Sequence, residues 1–263
     1  MNHALFLAPF GELADAALLA RLARQAEARG WDGVFLWDHT QWQHGLAVAD
    51  PWVCLTAIAI ATERIRIGLL VTPITRRRPQ TLARQSTTVD RLSNGRLVFG
   101  VGLGHDRMRE LSAFGDIAEP AVQAQRLDEG LQLIVDLWTG RLVDHHGAHY
   151  VADSVEFTPI PVQQPRIPVW VAGRTVNAAP TRRAARWDGY FPIDLSPEQV
   201  AAEVSRIVAI RGDLDGFDLV VTQPPGTDPT PWEAIGTTWF LAGAGATATA
   251  NEVEVIIEAG PPA

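Results

Sequence analysis

The 263-residue chain contains no lysine: all 22 of its basic residues are arginine. Schiff-base catalysis and pyridoxal-phosphate chemistry both need a lysine amine, so those reaction classes are excluded. The phosphate-cradling P-loop needs its lysine as well, which removes ordinary P-loop kinases and GTPases. GC-rich coding, which favours Arg, Ala and Gly codons, accounts for the replacement, so the absence constrains chemistry without revealing function. There is one cysteine, Cys54, and it cannot form an internal disulfide. Its apolar surroundings read as a buried, inert thiol in a protein of the reducing cytoplasm. No apolar run approaches the roughly 18 residues that cross a bilayer, so no membrane association is expected. The longest core-like stretch, Val53 to Ala61, is interrupted by Thr56. Met1 to Phe10 has no basic region and leads into Gly11, Glu12 and Asp15, so a secretory signal is not expected. A formal net charge of −8 argues against a general nucleic-acid binder.

What is present is a regular alternation. Short apolar, β-branched runs read as strands at Ala4 to Ala8, Gly33 to Leu36, Ile65 to Val71 and Leu97 to Val101. Four more follow at Val169 to Ala172, Gly189 to Phe191, Asp218 to Val221 and Thr237 to Leu241. Between them lie helical patterns at Leu13 to Arg29, Pro51 to Ala61, Pro79 to Leu92, Ala121 to Trp138, Asn177 to Ala185 and Pro197 to Arg211. A helical turn at Pro231 to Ile235 and a helix at Thr247 to Ala259 close the chain. Strand–helix alternation implies a parallel sheet, because each crossover must return across a face. Eight repeats in this length predict a single (β/α)8 TIM barrel spanning residues 1–263, with a doubly wound open sheet as the competing architecture. His145 to Phe157, alternating around Asp153-Ser154, reads as a small β-hairpin inserted before the fifth strand.

In such a barrel the C-terminal strand ends carry the chemistry. Trp37-Asp38-His39-Thr40-Gln41-Trp42 follows the second strand. Asp38-His39 reads either as an acid–imidazole pair that fixes a loop or as a proton-transfer group. Trp37 and Trp42 flank it and are the tryptophans placed to touch a ligand. Gly100, Gly102 and Gly104 are spaced G-x-G-x-G rather than G-x-G-x-x-G, so they permit a tight turn or the close approach of a flat ring or phosphate. Arg76, Arg77 and Arg78 read as a solvated charged loop or as an anion contact. Gly173-Arg174-Thr175 precedes a helix and is a candidate phosphate seat. His145, His146 and His149 lack partner acids at metal-ligand spacing, so no metal site is expected. No G-x-S-x-G elbow supports a hydrolase.

Several blocks together resemble the bacterial luciferase-like monooxygenase family. They are Arg78-Pro79-Gln80-Thr81-Leu82-Ala83-Arg84-Gln85, Val89 to Leu97, Gly100 to Gly104, Phe157 to Pro161, Gln164 to Gly173 and Ala184 to Gly189. The resemblance implies the same barrel, a homodimer, and a coenzyme F420 or FMN bound at the C-terminal mouth. Asp38-His39 is similar to the Asp-His of F420-dependent members, which implies His39 as acid/base, oriented by Asp38. By the same resemblance Leu70 and Thr72 support the ring, with a non-prolyl cis peptide expected within Gly68 to Val71. Gly102, Gly104, His105, Gly173, Arg174 and Thr175 would line the cofactor, and Trp42 the substrate. Some F420-dependent members carry an acid where His105 stands. The expectation is F420-dependent hydride transfer to or from a small organic substrate. The alternatives are an FMN-dependent monooxygenase fed by a flavin reductase, and a catalytically silent flavin-binding barrel.

Overall fold

A computed structural model describes residues 1–174 and 178–262. Eight parallel strands close into a barrel in the order β1 (Asn2–Leu7), β2 (Gly33–Leu36), β3 (Arg66–Pro73), β4 (Leu97–Gly102), β7 (Val169–Gly173), β8 (Gly189–Pro192), β9 (Asp218–Gln223) and β10 (Trp239–Gly243), which pairs back to β1. The long crossovers carry α1 (Ala16–Ala28), α2 (Pro51–Ala61), α3 (Pro79–Leu92) and α4 (Pro120–Trp138), then α5 (Ala178–Ala184), α6 (Pro197–Arg211), the short α7 (Thr230–Glu233) and α8 (Ala250–Ala259). The expected barrel is therefore the one that forms. Among the described residues no helix is long and apolar enough to cross a membrane.

Each strand is buried on both faces, which is why it reads as a continuous apolar run rather than an alternating one. Residues two apart share a face. In β1, Ala4 and Phe6 point into the barrel, where they meet Phe35, Leu70, Val98, Trp170, Phe191, Val220, Trp239 and Leu241. Leu5 and Leu7 point outward into the larger core beneath the helices. Gly100 is imposed by this packing: a Cβ there would lie 2.2 Å from the Leu69 carbonyl oxygen. The β3–β4 ladder shifts register between Leu69 and Thr72, where the Leu70–Val71 peptide is cis, within the span expected.

Helix starts follow local chemistry. Asp15 accepts from the N–H groups of Ala17 and Leu18, so α1 begins at Ala16, three residues later than the pattern suggested. Asp50 caps α2, Ser196 and Thr249 form capping boxes on α6 and α8, and Pro79 opens α3. The expected hairpin forms before the fifth barrel strand, with its reversal elsewhere than the pattern suggested. Its strands are β5 (Leu142–His146) and β6 (Val151–Glu156), and the chain reverses through Gly147–Tyr150, not at Asp153-Ser154. Ser154 instead forms a bulge within β6, with φ +51. Glu129 on α4 fixes the reversal, accepting the His149 N–H at 3.0 Å and the Tyr150 N–H at 2.7 Å.

Candidate active site

The C-terminal ends of β1 to β4 bring together Phe10, Trp37, Asp38, His39, Trp42, Arg76, Arg77, His105 and Glu110. The β4–α4 loop contributes the last two. His39 is mostly buried, and its Nδ1 lies 2.7 Å from Glu110 Oε2. The other Glu110 oxygen accepts the Thr40 N–H at 2.7 Å and pairs with the Arg76 guanidinium. Arg76 also donates to the Asp38 carbonyl oxygen and lies 3.3 Å from Asp38 Oδ1, while Arg77 reaches Asp38 Oδ2 at 2.6 Å. Two buried carboxylates and two guanidiniums thus form one closed network, with His39 at its edge.

Two expectations change here. The acid that holds His39 is Glu110, not Asp38, whose carboxylate is wholly buried against the two arginines. Arg76 and Arg77 form neither a solvated loop nor a free anion contact, because they neutralise internal carboxylates; only Arg78 is exposed. A buried guanidinium needs such partners, since breaking one member of a buried pair strands a charge. Burial would push the Glu110 carboxyl up. The hydrogen bond with His39, the Arg76 charge and the Thr40 N–H together hold it below the ordinary range.

An aromatic wall encloses the imidazole. Trp42 packs edge-on at 4.6 Å from His39, and Phe10 at 5.8 Å. His105 faces His39 at 5.9 Å between ring centroids. Burial lowers the His105 pKa, and the neighbouring His39, Arg174 and Arg107 charges lower it further, outweighing Glu110. Its surroundings therefore disfavour the protonated His105 imidazole. Arg174, at the end of β7, sets its Nε 3.3 Å from Asp194 Oδ2. Thr175 lies outside the described residues.

The remaining candidates lie along the same mouth. Leu70 is buried in the barrel interior, and Thr72 is fully buried at the end of β3. Gly102 and Gly104 are required by packing on β3. A Cβ at Gly102 would stand 2.7 Å from Val71 Cγ2, and one at Gly104, where φ is +70, would stand 2.9 Å from Pro73 Cγ. Gly173 is likewise crowded, by Pro180 and Tyr190. Among the buried donors here, Trp37 Nε1, Trp42 Nε1 and the Thr72 hydroxyl have no hydrogen-bond partner among the described residues. An unmade buried hydrogen bond costs about 1–3 kcal/mol, so these groups call for acceptors.

Glu110 escaped the sequence reading because it lies 71 positions from His39 and follows a loop with no periodicity. The available signal was its place eight residues after the last glycine of β4, on a loop that must cross the barrel mouth. Asp90 and Arg96, inside the Val89 to Leu97 block, hold the fold instead. Asp90 accepts the Val162 N–H at 2.7 Å, and Arg96 donates to the carbonyls of Ala59, Thr62, Ile65 and Ser93.

A sequence profile described as luciferase-like monooxygenase matches residues 7–255. An F420-dependent glucose-6-phosphate dehydrogenase of Nakamurella multipartita is 35 % identical over 179 residues, which are 66 % of this chain and 51 % of that protein. The enzyme of the same name from Gordonia bronchialis is 31 % identical over 241 residues, covering 87 % of this chain and 70 % of that protein. The chain thus spans about half the length of the first relative. Among solved structures, an F420-dependent secondary alcohol dehydrogenase with an F420-acetone adduct superposes with a TM-score of 0.82 at 16 % identity, covering 98 % and 97 % of the two chains. A monooxygenase from Streptomyces bottropensis superposes at 0.79 with 21 % identity, covering 98 % of each chain. At these identities the two structures share the fold.

Proposed function

The chain belongs to the luciferase-like monooxygenase family, and from that premise we propose that it is an F420-dependent oxidoreductase moving a hydride to or from a small organic substrate. The observation that carries the reading is the His39–Glu110 pair at the C-terminal mouth. An ionised Glu110 accepts from Nδ1–H of His39 and so selects the tautomer whose Nε2 is free to take a proton. Arg76 keeps Glu110 ionised, and Asp38 with Arg77 anchors Arg76. Trp42 and Phe10 hold the imidazole plane and exclude water from it.

The residues fit a flat, polar-edged heterocycle. The unpartnered Trp37, Trp42 and Thr72 donors suit its carbonyl acceptors, and Leu70 supplies an apolar backing. Arg174 and the Gly173 backbone would serve the anionic end. When bound, the deazaflavin supplies the hydride acceptor or donor. The chain's own part is to orient that ring, to take the substrate proton on His39 Nε2, and to set beside it the His105 imidazole, whose protonation burial disfavours.

The relatives named for F420 support that cofactor over FMN. Titration of the purified chain with each, followed by absorbance and fluorescence, tests the choice. F420 binding with weak or absent FMN binding is expected; tight FMN binding without F420 would overturn the reading and bring in a flavin reductase. F420 binding without turnover across a broad alcohol and aldehyde panel would favour a silent barrel. We read the chain as one domain that acts as a homodimer. Support comes from α2, apolar on nearly every side but for Thr56, which leaves Val53 and Ile60 61 % and 70 % exposed. Solution scattering that gives a monomer at micromolar concentration would remove the dimer.

A further inference from the structure

The β5–β6 hairpin lies outside the barrel and takes no part in the proposed reaction. Its register gives it a chemistry of its own. Val143 pairs with Val155, but His145 pairs with Ala152, so Asp144 is opposed by both Asp153 and Ser154. One extra residue in a strand reverses which face every residue beyond it presents. Without the bulge, Ser154 would oppose Asp144, and Asp153 would point to the packed face beside His145. With Ser154 as the extra residue, Asp153 joins Asp144 and His146 on the solvent face. The burial pattern agrees: Leu142, Asp144, His146, Val151, Asp153 and Glu156 are exposed, whereas Val143, His145, Ala152 and Val155 are buried or half-buried.

The result is one imidazole and two carboxylates whose ligand atoms all lie within 4.8 Å of one another. His146 Nε2 is 3.0 Å from Asp144 Oδ1. Two aspartates facing each other across a ladder repel and destabilise the strand pair, a cost that a bound cation reverses. We infer that Asp144, His146 and Asp153 form a surface site for a divalent transition ion of the zinc or nickel type, with water completing the shell. A nitrogen with two oxygens suits that class better than Ca²⁺ or Mg²⁺, which prefer oxygen alone. Ligand atoms around tetrahedral zinc stand about 3.4 Å apart, a spacing that these exposed side chains reach by rotamer adjustment. Bound there, the ion staples β5 to β6.

The test is calorimetric titration of Zn²⁺ into the metal-free full chain. Saturable binding of one equivalent below about 1 mM is expected. His146→Ala and Asp153→Asn should each weaken it by at least the 10–100-fold that even loss of an outer-shell partner costs. His149→Ala should leave it unchanged. Each position is on the surface, and matched circular dichroism establishes that the variants fold. Absence of saturable binding in the parent chain, binding that survives both ligand substitutions, or loss with His149→Ala in place of His146→Ala would overturn the inference.

Discussion

The two mouths of the barrel are built from similar residues and differ in what those residues have left over. At the N-terminal end a recess of about 390 Å³ is lined by Asn2, Asp32, Arg66, Trp170, Asp218 and Trp239. Its charges are already engaged. Asp218 accepts from Trp170 Nε1 at 3.1 Å and from the Thr238 hydroxyl at 2.8 Å, and Asp32 accepts the His3 N–H at 2.8 Å. Arg66 donates to the Gly95 carbonyl and to Gln163. At the C-terminal end the ion pairs close around Asp38 and Glu110, yet the Trp37, Trp42 and Thr72 donors have no partner among the described residues and His39 keeps its Nε2 free of the Glu110 contact. The lesson is that hollow volume does not locate chemistry in this fold; an imidazole steered by a buried ion-pair network at the strand C-termini does. The same contrast separates two buried arginines. Arg96, before β4, is held by carbonyl and hydroxyl oxygens alone, and Arg76, after β3, by two carboxylates and a carbonyl.

Substitutions can break that comparison, and the largest effect belongs to His39→Ala. Turnover should fall about 10²–10⁴-fold, as loss of a positioned acid/base does, while F420 affinity measured by fluorescence changes little. Undiminished turnover would remove His39 from the proton path. Next, Arg76→Met strips Glu110 of its guanidinium and leaves Asp38 with Arg77, and should cost about 3–5 kcal/mol in denaturant unfolding, with activity falling alongside. Arg96→Met should lower stability but leave turnover per folded molecule intact; reduced turnover there would erase the distinction between the two arginines.

Glu110→Gln is smaller in effect and sharper in meaning. Because the folded-state carboxyl is lowered, its stabilisation is present above the unfolded carboxylate range and is lost as pH falls through the folded value. The Gln variant should flatten the acid side of the melting-temperature profile and reduce turnover about tenfold. The smallest effect is expected at the opposite mouth. Burial raises the Asp218 carboxyl, outweighing its hydrogen bonds, so its charge becomes a cost as pH rises. Asp218→Asn should leave turnover unchanged and give a neutral or slightly higher melting temperature at neutral pH.

The barrel was legible because its strands are buried on both faces and its helices on one, so period and length separate them. Most strand boundaries fall within two residues of the pattern. The hairpin turn was misplaced because a bulge mimics a reversal: both break the alternation at polar residues such as Asp153-Ser154. The candidate site was half legible. His39, Trp42 and His105 stand directly at strand ends, where position alone marks them. The partner of His39 was not, since adjacency in sequence favoured Asp38, and the Arg76 and Arg77 side chains draw that carboxylate away. Such pairings are settled by charge neutralisation across three separate loops, which no local pattern records.

The β4–α4 connection carries both His105 and the Glu110 that steers His39, five positions apart on one loop. That makes the loop a cassette. A single exchange of this segment between related barrels would replace the second imidazole and the anchor of the first together, leaving every strand in place. Divergence of reaction in such a scaffold needs only one recombination event, and directed evolution of this chain has its shortest path there.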